Sequence, residues 1–346
     1  MKLYRQENQL CFDDILLVPN PSAVESRKDI DLSMSIGYGN RKIDLYLPVI
    51  SAPMDTVTES AMAIEIAKFG GLGIIHRYSK VEDQTAQVFE VSKKGYVVGA
   101  SVPTSLRDSV IPQVKSLVYV GAKVILVDTA NGHNFAAIKA VSEIRKEFPD
   151  IHIMAGNVST WDGFMHLSQA GADSVRVGIG GGSCCTTRIA TGHGIPTLAS
   201  IMEIYEYQER LDLPTSIIAD GGIRNSGDMV KSFAAGADAV MIGSMLSGHT
   251  ESPGNVFRED RKDYKILRGM ASSHAQKDWR GSVSGEEGIS TKVLFKGPAE
   301  NTLNSIRNGI SSGCSYAGVE KLEELSITSQ YVKVSPLSVK ESLPHV

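Results

Sequence analysis

The chain has 346 residues, 42% of them hydrophobic and 21% charged, with a net charge of −4 and an isoelectric point near 6.1. That length suits one large α/β barrel or two average domains, and without a basic stripe a nucleic-acid surface is not expected. Four cysteines make no disulfide framework, MKLYRQENQL carries no apolar signal core and no apolar run could span a bilayer, so a protein of the reducing cytoplasm, off the membrane, is expected.

Short runs rich in Val and Ile follow one another along the chain. They are LPVISAP (47–53), LGIIH (72–76), YVVGAS (96–101), KVILVDTA (123–130), IHIMAGNV (151–158), DSVRVGIG (173–180), TSIIADGG (215–222) and DAVMIGS (238–244). Nearly continuous apolar runs without alternation suit strands buried on both faces, hence a parallel sheet. Between them lie helical patterns such as ESAMAIEIAKFG, NFAAIKAVSEIRKEF, WDGFMHLSQAGA and SGDMVKSFAAGA, several closed by a glycine stop. Eight strand–helix alternations predict a closed (β/α)8 TIM barrel spanning 1–346 as a single domain. A doubly wound open sheet is the alternative, but no GxGxxG opens a helix after a strand. Segment 260–300 is polar, glycine-rich and weakly periodic, and reads as a mobile flap, with room for a short hairpin.

In such a barrel the C-terminal strand ends carry the chemistry. Ser51, His76, Asp128, Asn157, Gly180, Asp220 and Gly243 stand at those ends. The richest stretch is VGIGGGSCCTTRIATGHG (177–194). Gly180, Gly181 and Gly182 allow a sharp turn, and dipoles oriented there would favour a thiolate on Cys185. Thr186 and Thr187 supply hydroxyls and Arg188 a fixed charge, while Cys184 reads as a core or spacer residue. A cysteine by itself is more often a small core residue than a nucleophile; its loop reverses that reading.

ADGGIRNSGD and IGSMLSGHTESPG follow the seventh and eighth strands, where barrels often hold phosphate on backbone amides. Gly221, Gly222, Gly243 and Ser244 are the candidates, and Asp220 could accept hydrogen bonds from a ribose diol. The plainer alternative is that these glycines only make tight turns. Glu286 and Glu287 lie in the flap, where carboxylates are usually solvated. His76, His133 and His249 share no zinc-ligand spacing.

FDDILLVP (12–19), SAPMDTVTES (51–60), DTANGH (128–133), GGGSCCTTR (180–188), ADGGIR (219–224), RGM (268–270) and SYAG (315–318) together resemble the IMP dehydrogenase and GMP reductase family over essentially the whole chain. Dehydrogenases usually insert cystathionine-synthase-type regulatory modules after the second strand; here IHRYSKVEDQ runs directly towards GYVVGAS. The dehydrogenase flap carries an Arg-Tyr pair that activates water, and ASSHAQKDWRGSVSGE has none, Trp279-Arg280 being the nearest approach in reversed order. DTANGH, GHTES and the spacing from Glu287 to FKG look like the reductases, whereas VISAPMDTVTES and the SPG after GHTE look like the dehydrogenases.

The resemblance therefore implies NADPH-dependent reductive deamination of GMP to IMP and ammonia through a covalent Cys185 adduct. The alternative within the family is a minimal dehydrogenase taking IMP to XMP with NAD and water, and outside it a catalytically silent nucleotide-binding protein. It implies catalytic roles for Cys185, Thr187 and Glu287. It implies substrate contacts at Ser183, Asp220, Gly221, Gly222, Gly243, Ser244, Gly269, Met270, Glu287 and Gly288. Cofactor contacts follow at Arg77, Asp128, Thr129, Ala130, Ile179 and Gly180, with Ser26, Arg27, Ser312, Gly313, Cys314 and Ser315 completing the set. Arg77 would suit the extra phosphate of NADPH, and Ser26 and Arg27 match a segment lent by a neighbour in a homotetramer. Potassium is implied at Gly180, Gly182, Cys185 and Arg188. Leu267 departs from the family, which usually has an aromatic residue there.

Overall fold

The structure, a computed structural model, describes residues 4, 9–105 and 107–344. Eight parallel strands close a barrel: β1 (Val49–Ser51), β2 (Leu72–Ile75), β3 (Val98–Val102), β4 (Val124–Asp128), β5 (His152–Val158), β6 (Ser174–Val177), β7 (Ser216–Asp220) and β8 (Ala239–Ile242). All eight lie within the apolar runs of the sequence or overrun them by one residue. β8 pairs back onto β1, Val240 opposite Val49, so the sheet has no free edge. Seven of the eight strands are buried at every position, and β7 is buried up to Asp220, which explains why the runs do not alternate.

Helices α1 (Ser60–Lys68), α2 (Val81–Ser92), α3 (Ile111–Tyr119), α4 (Phe135–Glu147), α5 (Trp161–Gln169), α6 (Thr197–Leu211), α7 (Ser226–Ala234) and α8 (Ala299–Ala317) surround the barrel. Asn134, Thr160 and Asn225 accept the amides of Ala137, Gly163 and Asp228, capping the orphan donors where α4, α5 and α7 begin. A single helix, α2, joins β2 to β3. No helix among the described residues is long and apolar enough to cross a membrane.

Two features go beyond the expectation. A hairpin, Met34–Ile36 with Ile43–Leu45, places Ile36 and Leu45 against Ile50, Leu126 and Met241, plugging the N-terminal mouth of the barrel. The flap is more than a loop with a hairpin. Strands Phe257–Glu259, Lys262–Arg268 and Ser290–Leu294 form an antiparallel sheet, and a helix, Ser273–Arg280, joins the last two. Residues 299–300 belong to α8. The flap hid its order because it packs on one side only and stays polar on the other. Leu267, at the family's aromatic position, is a buried core residue opposite Thr291.

Candidate active site

The loop after β6 turns within one peptide of the neighbouring strand. A Cβ on Gly178 would lie 1.9 Å from the Asp220 carbonyl oxygen, so no larger residue fits. Gly180 has φ +79° and stands against the Arg188 side chain, whose guanidinium donates to the carbonyls of Ile179 and Ile195. Arg188 thus braces the loop from behind.

The flap meets this loop through its backbone. Thr186 N–H donates to the Glu287 carbonyl at 3.0 Å and Ile289 N–H to the Cys184 carbonyl at 2.9 Å. Gly288, expected at the base of the substrate, is buried here beside Cys185 and Ser272 and is no part of the cleft lining. This pairing delivers the Glu287 side chain. The Cys185 thiol donates to Thr187 Oγ1 at 3.2 Å, and the Thr187 hydroxyl donates to Glu287 Oε2 at 2.8 Å. Thiol, hydroxyl and carboxylate form a continuous path for a proton. Cys185 is half-buried and lines the cleft, whereas burial pushes the thiol of Cys184 up and that of Cys314 up to about 12. Glu286 turns the other way and accepts the Ser273 amide at the start of the flap helix.

The cleft holds about 470 Å³. One part is lined by Ser183, Asp220, Gly221, Gly222, Gly243, Ser244, Gly269 and Met270 with Cys185, Thr187 and Glu287, bringing together the expected substrate residues apart from Gly288. The other part is lined by Arg77, Asp128, Thr129, Ala130, Ile179 and Gly180, with Tyr78, Trp279 and Arg280 from the wall and flap.

Arg176 joins the two parts. It is buried and donates to Asp128 Oδ1 at 2.7 Å and to Asp220 Oδ2 at 2.9 Å, while Asn157 Nδ2 reaches the same Asp220 oxygen at 2.8 Å. Burial alone would push the Asp128 carboxyl up; Arg176 and Arg77 outweigh it and hold it below its ordinary value. Arg77 Nε lies 3.3 Å from Asp128 Oδ2, so the arginine expected to meet a phosphate already has a carboxylate partner. Its guanidinium stands 4.6 Å from the Tyr78 ring centre and 5.7 Å from that of Trp279, and Arg280 covers Trp279 at 4.2 Å. Arg280 forms no ion pair among the described residues. Asn157 was expected at a strand end without a role, whereas Arg176 and Tyr78 were missed from the sequence; a guanidinium inside the apolar run DSVRVGIG was the signal available for the first.

Other expected residues lie elsewhere. Ser26 and Arg27 are not in the cleft, nor are Ser312, Gly313, Cys314 and Ser315 on α8. These two sets are neighbours nonetheless: Arg27 sits 5.9 Å over the Tyr316 ring, and Asn20 N–H donates to the Tyr316 carbonyl. Cys314 itself is fully buried. His76 contacts Glu59, His133 contacts His166, and His249 lies between Gly297 and Thr302. For a cation, the carbonyls of Gly180 and Cys185 receive no hydrogen bond from the described residues. That of Gly182 accepts the Cys185 amide, and that of Arg188 accepts the Gly192 amide. The loop has oxygens to offer, but too few alone to wrap an ion.

A model of the IMP dehydrogenase / GMP reductase domain matches residues 9–345. GMP reductase 2 of Homo sapiens is 39% identical, covering 94% of each chain. Inosine-5'-monophosphate dehydrogenase of Borreliella burgdorferi is 34% identical over 97% of this chain and 96% of its own. The crystal structure of a variant GMP reductase from Trypanosoma brucei, in complex with guanosine 5'-monophosphate, is similar with a TM-score of 0.91, 25% identity and 98% coverage of each chain.

Proposed function

The chain belongs to the IMP dehydrogenase and GMP reductase family of oxidoreductases, and within it we propose that this protein is a GMP reductase. The flap before Glu287, which has no Arg-Tyr pair to activate water, carries the choice of reductase, and the hydrogen-bonded series Cys185–Thr187–Glu287 supports the covalent route. The GMP-bound relative supports a purine nucleotide as substrate.

In this reading the phosphate rests on Ser183, Gly222, Gly243 and Ser244, and Asp220 takes the ribose. Met270 and Glu287 hold the base with C2 over Cys185. Cys185 gives its proton through Thr187 to Glu287, and its sulfur adds to C2. An amine on such a carbon leaves poorly as an anion, so Glu287 returns a proton through Thr187 and ammonia departs. A thioimidate remains on Cys185. The nicotinamide cofactor, when bound, supplies hydride to C2. The C–S bond then breaks, IMP leaves and the thiolate is restored.

NADPH fits better than NADH because Arg280, which forms no ion pair among the described residues, adds positive charge at that end of the cleft, where Arg77 is already paired with Asp128. A monovalent cation such as potassium would be held by the carbonyls of Gly180, Gly182, Cys185 and Arg188. The surface formed by Ser26, Arg27 and residues 312–315 would reach a neighbour's cofactor in a homotetramer.

The second reading is a dehydrogenase in which Arg280, which lines the cleft and forms no ion pair among the described residues, activates water. Relatives of that name match at 30% and 34% identity. One paired assay decides. The reductase oxidises NADPH with GMP and releases ammonia; turnover confined to NAD and IMP would sink the proposal in favour of the dehydrogenase.

A further inference from the structure

The turn after β8 is held from outside the cleft by two lysines of the flap sheet. Lys265, on strand Lys262–Arg268, is buried and donates to the carbonyls of Ser252 at 2.5 Å and Thr250 at 3.4 Å. Lys296, just past strand Ser290–Leu294, donates to the carbonyls of Met245 at 3.2 Å and Ser244 at 3.4 Å. Neither ammonium forms an ion pair among the described residues. Burial lowers the pKa of both; Lys296 is exposed as a residue, but its charged end lies over the carbonyls.

The backbone repeats the connection. Lys296 N–H donates to the Gly248 carbonyl at 2.8 Å and Thr250 N–H to the Gly297 carbonyl at 2.9 Å. The segment itself is one tight turn, with Leu246 N–H on the Gly243 carbonyl and the Ser247 hydroxyl on the Ser244 carbonyl. Gly243 and Ser244 line the cleft, so carbonyls drawn out towards the lysines leave the start of the turn facing the ligand.

We propose that Lys296 and Lys265 are positioning residues for the phosphate-binding turn, clamping it to the flap sheet whose strands also carry the connection to Glu287. This rests on the reading of Gly243 and Ser244 as phosphate contacts. The Lys296 ammonium, bonded to carbonyls, places a positive charge beside the turn, which suits a dianion. Substrate phosphate and flap are thereby held by one element.

Lys296 is the residue to change, because it is exposed and its loss spares the core. Lys296→Met keeps the stem and removes the donors. Dissociation constants of GMP and guanosine are measured by calorimetry for wild type, Lys296→Met and Lys296→Arg. The guanosine-to-GMP ratio of dissociation constants is expected to fall about tenfold in Lys296→Met, the scale of one hydrogen bond to a charged group. It is expected to recover largely in Lys296→Arg. An unchanged ratio, or equal weakening of both ligands, overturns the clamp. Equal binding of GMP and guanosine by wild type overturns the phosphate assignment itself, and the clamp with it.

Discussion

Cys185 is joined to partners that are near and far in sequence. Thr187 sits two positions on, while Glu287 is separated from Thr187 by 100 positions and arrives through backbone pairing with the loop. In the proposed mechanism the hydroxyl is the middle of the path, so its removal would interrupt proton transfer without emptying the site. Thr187→Val is expected to lower kcat by roughly 10²-fold to 10⁴-fold with little change in KM for GMP, the usual range for general acid–base catalysis. Cys185→Ala should lose turnover altogether and form no covalent adduct detectable by mass spectrometry. A Thr187→Val enzyme with wild-type kcat would show that the proton travels another way. Arg176 matters at the same scale. One buried guanidinium holds the carboxylates of both halves of the cleft, and a buried cation without either partner would be costly.

Among the elements, the flap does the most to distinguish this chain. Arg268 binds Asp55 on the barrel side at 2.6 Å and Asp278 of the flap helix at 2.5 Å, so helix and sheet are tied to one another and to the loop after β1. Trp279 then meets Tyr78 edge-on at 5.3 Å and closes the cofactor part of the cleft. Trp279→Leu is expected to raise KM for the reduced cofactor about threefold to tenfold, the worth of an aromatic contact with its cation partners, while GMP affinity stays near wild type. Equal kinetics in wild type and variant would remove the flap helix from the cofactor wall. The sequence showed that this flap lacks an Arg-Tyr pair, but not that Trp279 would pack on Tyr78. Tyr78 follows β2 and Trp279 follows the eighth strand; only closure of the barrel makes them neighbours.

For the molecule as a whole, carboxylates at the two mouths give opposite pH dependences. The AGAD motif occurs twice, before β6 and before β8. Asp173 meets Arg41 at 2.7 Å and also Arg145, whereas Asp238 accepts the Ile217 amide at 2.7 Å and forms no ion pair among the described residues. Burial pushes the Asp238 carboxyl up to about 7. A folded pKa above the unfolded value of about 3.9 stabilises fully below about pH 4, and that contribution is lost as pH rises through 7. Asp128, held below its ordinary value, contributes above about pH 4 and loses that contribution on acidification. Asp238→Asn, which can still accept the amide, should melt at a higher temperature than wild type at pH 8. The gap should narrow towards pH 5, and a gap independent of pH would mean that Asp238 does not titrate there.

What the sequence by itself determined was the barrel and the loops at its C-terminal face, which line the cleft together with Cys185. A strand buried on both faces has to be apolar throughout, a turn within van der Waals contact of a neighbour has to be glycine, and both requirements are written residue by residue. Ser26, Arg27 and residues 312–315 entered only through a family resemblance, because no local pattern marks them and they lie outside the cleft. Tertiary structure alone decided that Glu287 faces Cys185 rather than solvent, that Arg77 is paired with Asp128, and that Arg176 bridges Asp128 and Asp220. Each is a contact between groups far apart in the chain, and the partner of a charge is fixed by distance in space, which no local pattern encodes.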